Sequence, residues 1–177
     1  PRYAVERTAR ASLPEAPTAV PPTRMALVEL LGSPQLRSRA ISAICHSQDV
    51  RLLPVIRSLL ASPTPSTKTQ AILALYRLRA EGVGAEVGKL VSDADPEVRH
   101  NAAEYGAHLG YRSTLKEVQH FLQHDDFGSQ SIAMHLCKTL PPEDAAPVLG
   151  AFLHHSSHHL RKRAVWDLMK YEDQWIR

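Results

Sequence analysis

The residues best equipped for chemistry stand near the C-terminal end of the chain. The run HHSSHH puts four imidazoles, His154, His155, His158 and His159, within six positions. Imidazole is a good zinc ligand, and histidines four residues apart can chelate from one face of a helix. A little further on, Arg163, Trp166 and Asp167 supply a cation, an aromatic ring and a carboxylate, the residue types of a site that handles an extruded base. Other constellations are missing. Cys45 and Cys137 lie far apart with no CxxC, which reads as two reduced core thiols. Glycine-rich phosphate loops are absent. No carboxylate or thiol stands beside HHSSHH in sequence, so metal chemistry there depends on whether the run is a helix or a turn.

The answer comes from a repeat. Stepping by 31 residues from Arg99 lands on Arg37, Lys68, Arg99, Gln130 and Arg161. Three residues after each stands alanine: Ala40, Ala71, Ala102, Ala133 and Ala164. Four residues before each stands a helix-capping type: Ser33, Thr64, Asp95, Asp126 and Ser157, whose side-chain oxygens can accept from the free N–H groups of a first turn. The next column reads Pro34, Pro65, Pro96, Phe127 and His158, and proline suits a first helical position. Each repeat thus has a marked start for a second helix. HHSSHH falls on that boundary, so it is expected to be an intra-repeat turn able to aim only some of its rings at one ion. A solvated polar turn is the other reading of the run.

Apolar columns complete the repeat. Met25, Ile56, Val87, Val118 and Leu149, then Val28, Leu59, Leu90, Phe121 and Phe152, mark a first helix. Ile41, Ile72, Ala103, Met134 and Val165, then Ile44, Leu75, Gly106, Cys137 and Leu168, continue the second. Spacings of three and four put these residues on one helical face, and the fixed alanines let neighbouring helices approach. No strand alternation survives beside this pattern. The expectation is an all-α chain of about ten helices in five antiparallel pairs, each packing on its neighbours. The repeats fall at approximately 20–48, 51–79, 82–110, 113–140 and 142–171. Residues 3–13 read as the second helix of an earlier repeat, 14–22 as a Pro-rich loop, and Tyr171 to Arg177 as the place where the next first helix would begin. Both ends read as cuts, so 1–177 is expected to be one array sliced from a longer protein.

If the second helices line a concave face, positions two, five and nine after the reference column point outward. The candidate stripe holds Arg39, His46, Gln70, Arg77, Asn101, Glu104, His108, His135, Arg163, Trp166 and Lys170. Four fixed cations stand on it against one carboxylate, and an exposed tryptophan beside arginines is a typical interface anchor. Tyr76 and Met169, one position off, could extend it. An ordinary solvated helix face is the alternative.

Composition agrees with a soluble protein. The 177 residues are 44% hydrophobic and 22% charged, with a net charge of +3 and ten histidines. A mild positive balance suits an acidic partner without requiring one. No run approaches the length of a membrane span.

The segment DADPEVRHNAAEYGAHLG resembles a HEAT-like repeat of the subtype first described in phycobilin lyases, in which an Asp-Pro-x-Val-Arg turn opens the second helix and an alanine follows. SPQLRSRA and SHHLRKRA are similar to it; DDFGSQSIA departs, lacking both proline and arginine. The resemblance implies a right-handed superhelical α-solenoid whose second helices line a concave surface that usually binds proteins. Such arrays also serve as bilin lyases, hydroxylases and DNA glycosylases. The hydroxylases use His-Glu pairs, and no histidine here is followed by glutamate. The expectation is therefore a noncatalytic, cytoplasmic scaffold or regulatory module, free or as the soluble part of a membrane-anchored protein, with no cofactor. Its partner would be another protein or domain, an acidic one suiting the charge. Nucleic-acid binding through the basic stripe, a glycosylase included, and a bilin-lyase-like subunit are the alternatives.

Overall fold

A computed structural model describes residues 24–175 of the chain, with side chains through 170. The half repeat expected at 3–13 and the Pro-rich loop at 14–22 lie outside the described residues.

Ten α-helices follow one another: α1 (Arg24–Gly32), α2 (Arg37–Ser47), α3 (Leu53–Ser58), α4 (Pro65–Arg77), α5 (Gly84–Leu90), α6 (Pro96–Gly106), α7 (Leu115–Leu122), α8 (Phe127–Cys137), α9 (Pro142–Phe152) and α10 (His158–Trp175). Tight 3-10 turns flank α3 and extend α6. They form five pairs, and the second helices α2, α4, α6, α8 and α10 pack on one another in sequence. Contacts between consecutive first helices are sparser. The more closely spaced layer of a curved stack is its inner side, so the second helices line the inside of an α-solenoid.

The alanine column makes that spacing possible: all five alanines are at most 1% exposed. Ile56, Val87, Val118 and Leu149 are fully buried in the first-helix layer. Caps fix the starts of α6, α7 and α8, whereas Thr64 at the start of α4 makes no side-chain capping bond. Asp95 accepts from the backbone N–H of Glu97 and Val98 at 2.9 and 3.1 Å. Asp126 accepts from Ser129 at 2.9 Å. Thr114 and Glu117 form a reciprocal capping box on α7.

Several expectations need correcting. Ser33 does not cap α2. Its hydroxyl donates to the Gln35 side chain, a turn follows, and the helix starts at Arg37 behind an uncapped Leu36. Met25 and Val28, assigned to the core, are 75% and 40% exposed. Leu27 and Leu31, four apart, form the buried face of α1 instead, so the column register slips in the first pair. Val165 is 46% exposed because, among the described residues, no further second helix packs on α10. Finally, α10 runs unbroken to Trp175, through the region expected to open a new first helix.

The reference column has a structural task that its spacing alone does not disclose. Arg99 donates through Nη1 to the carbonyls of Asp93 and Ala94, both at 2.9 Å. Arg161 does the same for His155 and Ser156 at 2.8 and 2.7 Å, and Arg37 for Leu31 at 2.8 Å. Each side chain folds back over the intra-repeat turn and satisfies carbonyls at the end of the first helix (Leu31) or in the turn that follows it (Asp93, Ala94, His155 and Ser156). Gln130 performs the same task in the divergent fourth repeat, donating to the carbonyls of His124 and Leu122. Lys68 is different: its ammonium reaches Asp93 of the following repeat at 2.6 Å.

Candidate functional site

The second-helix layer carries two open depressions. The larger, about 690 Å³, lies at the C-terminal ends of α4 and α6 and is lined by Tyr76, Arg77, Arg79 and His108 among others. Tyr76 stacks against Tyr105 (centroids 4.8 Å apart) and His108 (5.2 Å). The smaller, about 320 Å³, lies between α8 and α10, walled by Phe127, Met134, Leu160 and Trp166 with Lys162 and Arg163 beside them. Phe127 and Trp166 are each 57% exposed. Two large aromatic side chains left in solvent on opposite walls of one cleft are costly unless something covers them.

The proposed stripe divides when placed on this surface. Arg39, His46, Arg77, His108, Trp166 and Lys170 are exposed, and Arg163 is half-exposed. Gln70, Asn101 and Glu104 are half-buried and engaged elsewhere. Gln70 donates to Ser38 of α2 at 2.7 Å, Asn101 to the Glu97 carbonyl of its own helix at 2.8 Å, and Glu104 faces His100 at 3.5 Å. Gln70 ties α4 to α2, while Asn101 and Glu104 bond within α6.

His135 does not belong to the stripe's outer face: it is only 7% exposed. α8 is enclosed by α6 on one side and α10 on the other, and it buries Ile132 through Cys137 without a break. The His135 ring stands edge-on to His100, with centroids 5.3 Å apart. Burial first, then the nearby Lys138 and Arg163 charges and His100, push its pKa down to about 3. The ring is neutral, and Nδ1, 3.2 Å from the Lys138 ammonium, accepts the hydrogen bond and leaves the ring proton on Nε2.

Two polar groups here escaped the column reading. Asp167, grouped in sequence with Arg163 and Trp166, is 3% exposed and accepts from Arg163 Nε at 2.9 Å, with Lys170 Nζ 3.9 Å from its other oxygen. Lys138 stands at position eight after the reference, the column that also holds Tyr76 and Met169. That column was the available signal, since both neighbours in it carry large exposed side chains. Burial, then the Arg163 charge, lower the Lys138 pKa, and Asp167 and Glu104 pull it back. Phe127 was legible as an aromatic ring standing in the proline column.

The HHSSHH run is the α9–α10 turn and the first residues of α10. His155 Nδ1 accepts from the Ser157 N–H at 2.9 Å and its ring lies against Phe152. The His158 and His159 rings are T-shaped, 6.1 Å apart, while His159 lines the α8–α10 cleft. Among the described residues no three His, Cys, Asp or Glu side chains gather around a common point suited to a metal. Cys45 and Cys137 are buried and form no disulfide with each other, and burial pushes the Cys137 thiol up to about 12. No helix among the described residues is long and apolar enough to cross a membrane.

The family model described as HEAT repeats matches residues 84–168, the span from the start of α5 into α10. No curated protein matches the chain.

Proposed function

We propose that this chain, a HEAT-like repeat protein, is a noncatalytic scaffold or regulatory module that holds a protein or peptide in the groove of its second helices. HEAT repeats generally mediate contacts between proteins. The observation that carries the reading is the α8–α10 cleft, where Phe127 and Trp166 face solvent beside Lys162 and Arg163. An aromatic anchor beside arginine is the side-chain chemistry of protein interfaces. Tyr76 and Arg77 offer a second contact further along the same layer.

Binding to nucleic acid fits less well. Much of the basic charge is neutralised within the fold: Arg24 and Arg51 by Asp49, Arg57 by Glu86, Lys68 by Asp93, and Arg163 by Asp167. A nucleic-acid binder would lose affinity steeply with salt, which sets that reading apart in a salt titration.

The test compares the immobilised full chain with its Arg77→Ala/Trp166→Ala variant, using quantitative mass spectrometry of captured proteins and calorimetry on those recovered. Specific partners should be lost while helical content is kept. Equal capture by both forms would sink the groove assignment.

A further inference from the structure

The α8–α10 groove is chemically two-ended. Its N-terminal half is the aromatic cleft between Phe127 and Trp166. Its C-terminal half is cationic: Lys138 closes α8, and Lys170 lies one turn beyond Trp166 on α10. From Ser131 in the cleft to Lys138 is seven residues, or about 10 Å along the helix axis.

The cationic end is under-neutralised. Asp167 is engaged by Arg163 at 2.9 Å and lies 3.9 Å from Lys170. Glu104 faces His100. The Lys138 ammonium has one hydrogen-bond partner among the described residues, the neutral ring nitrogen of His135. An ammonium has three donors and no means of accepting, so the half-buried Lys138 can donate to a bound acceptor as well as to His135. Lys170 is mostly exposed, at 73%. Three cations, Lys138, Arg163 and Lys170, thus meet two carboxylates: Asp167, hydrogen-bonded to Arg163, and Glu104, which faces His100.

Resting on the groove reading above, we infer that the occupant is an acidic segment of a partner protein, with a large apolar side chain in the Phe127–Trp166 cleft and carboxylates reaching Lys138 and Lys170. An extended chain covers about 10 Å in roughly three residues, so the acidic positions stand two to four residues from the apolar one. Carboxylates complement the excess of positive charge, and a charge-assisted bond to a half-buried ammonium is stronger than a neutral one.

The probe is the nine-residue peptide Glu-Glu-Glu-Gly-Leu-Gly-Glu-Glu-Glu, capped at both ends so that either chain direction can bind. Its all-glutamine counterpart and its Leu→Ala version serve as comparisons, each titrated calorimetrically into the full chain. The glutamate peptide should bind about tenfold or more tightly than the glutamine one. The Lys138→Gln/Lys170→Gln variant should erase that ratio, and Trp166→Ala should erase the advantage of leucine over alanine. Lys170→Gln alone, at an exposed position, should already reduce the ratio, so a folding defect at Lys138 does not blunt the test. Equal binding of the glutamate and glutamine peptides overturns the inference while leaving the groove reading standing. A ratio that survives the double variant overturns it as well, as does no binding of any peptide at about 1 mM. A leucine preference that ignores Trp166→Ala overturns the groove reading itself.

Discussion

Arg163 Nε donates to Asp167 Oδ2 at 2.9 Å across one turn of α10, and the carboxylate beneath it is almost wholly buried. The arginine that looks like an interface residue is thereby also a structural one. Removing it leaves a buried carboxylate without its hydrogen-bonded cation, with Lys170 3.9 Å away and Lys138 as the charges still near it among the described residues. Arg163→Ala and Asp167→Asn should each cost about 1–3 kcal/mol in urea unfolding. Trp166→Ala, at a 57% exposed position, should change stability by less than about 1 kcal/mol. If Arg163→Ala proves as harmless as Trp166→Ala, the ion pair does not support α10 as described. The same contrast makes Trp166 the cleaner change for any binding experiment.

Gly84 and Gly88 stand four apart in the seven-residue helix α5, a placement that opposes helix propensity. Packing explains it. A Cβ on Gly84 would lie 2.3 Å from the Gly110 carbonyl carbon, and one on Gly88 would lie 2.5 Å from the Tyr111 ring. Gly110 itself takes a φ of +84° to bring the chain in, and Tyr111 is held by its hydroxyl donating to Glu117 at 2.7 Å. Gly84→Ala should lower stability by about 1–3 kcal/mol despite the gain in helix propensity, because backbone must move. Gly88→Ala meets a side chain, and in a Tyr111→Ala background it should cost less than in the natural chain. Thermal melts of the natural chain, Gly84→Ala, Gly88→Ala, Tyr111→Ala and the Gly88→Ala/Tyr111→Ala double variant decide it; a stabilising Gly84→Ala would show that α5 and the turn at Gly110 are not this close.

Gln130 reproduces the work of Arg99 with a different side chain. Gln130→Ala should cost about 1–2 kcal/mol, since the carbonyls of Leu122, the last residue of α7, and of His124 in the turn would lose their donor. Gln130→Arg should be tolerated to within about 0.5 kcal/mol, because the arginine column already spans the equivalent turns. Denaturant midpoints with unchanged slopes would report this directly. A strongly destabilising Gln130→Arg would mean that the fourth turn has its own geometry.

That column also shows what was and was not legible. The repeat length, the five helix pairs and the alanine seam could be read because each repeat must bury the same small face against the next. The task of the reference column could not, because a side chain folding back over a turn leaves no periodic trace beyond its own position. Outward pointing was read correctly for Arg77, His108 and Trp166 and failed for His135. A three-column rule treats every second helix alike, whereas α8 is enclosed by both neighbours. At the ends the rule failed in the other direction. Met25 and Val165 carry core-type side chains but lack a neighbouring helix to cover them among the described residues.

His135 turns its burial into a pH dependence. Its folded pKa is pushed down to about 3, mainly by burial and then by the Lys138 and Arg163 charges and His100, while an imidazole in the unfolded chain titrates near 6.5. The unfolded chain therefore binds the proton more readily. The stability contributed by the neutral ring is fully present above about pH 6.5 and declines as pH falls from there toward 3, which amounts to about 2 kcal/mol by pH 5. His135→Gln keeps a neutral polar group in place without the titration. Urea unfolding free energies measured between pH 7.5 and 5 should fall more steeply for the natural chain than for His135→Gln, by the slope of one proton. The other histidines are common to both proteins, so the difference isolates this ring. Parallel pH profiles would mean that the ring is protonated in the folded state, and would place a charged imidazole against Lys138 where the fold requires a neutral one.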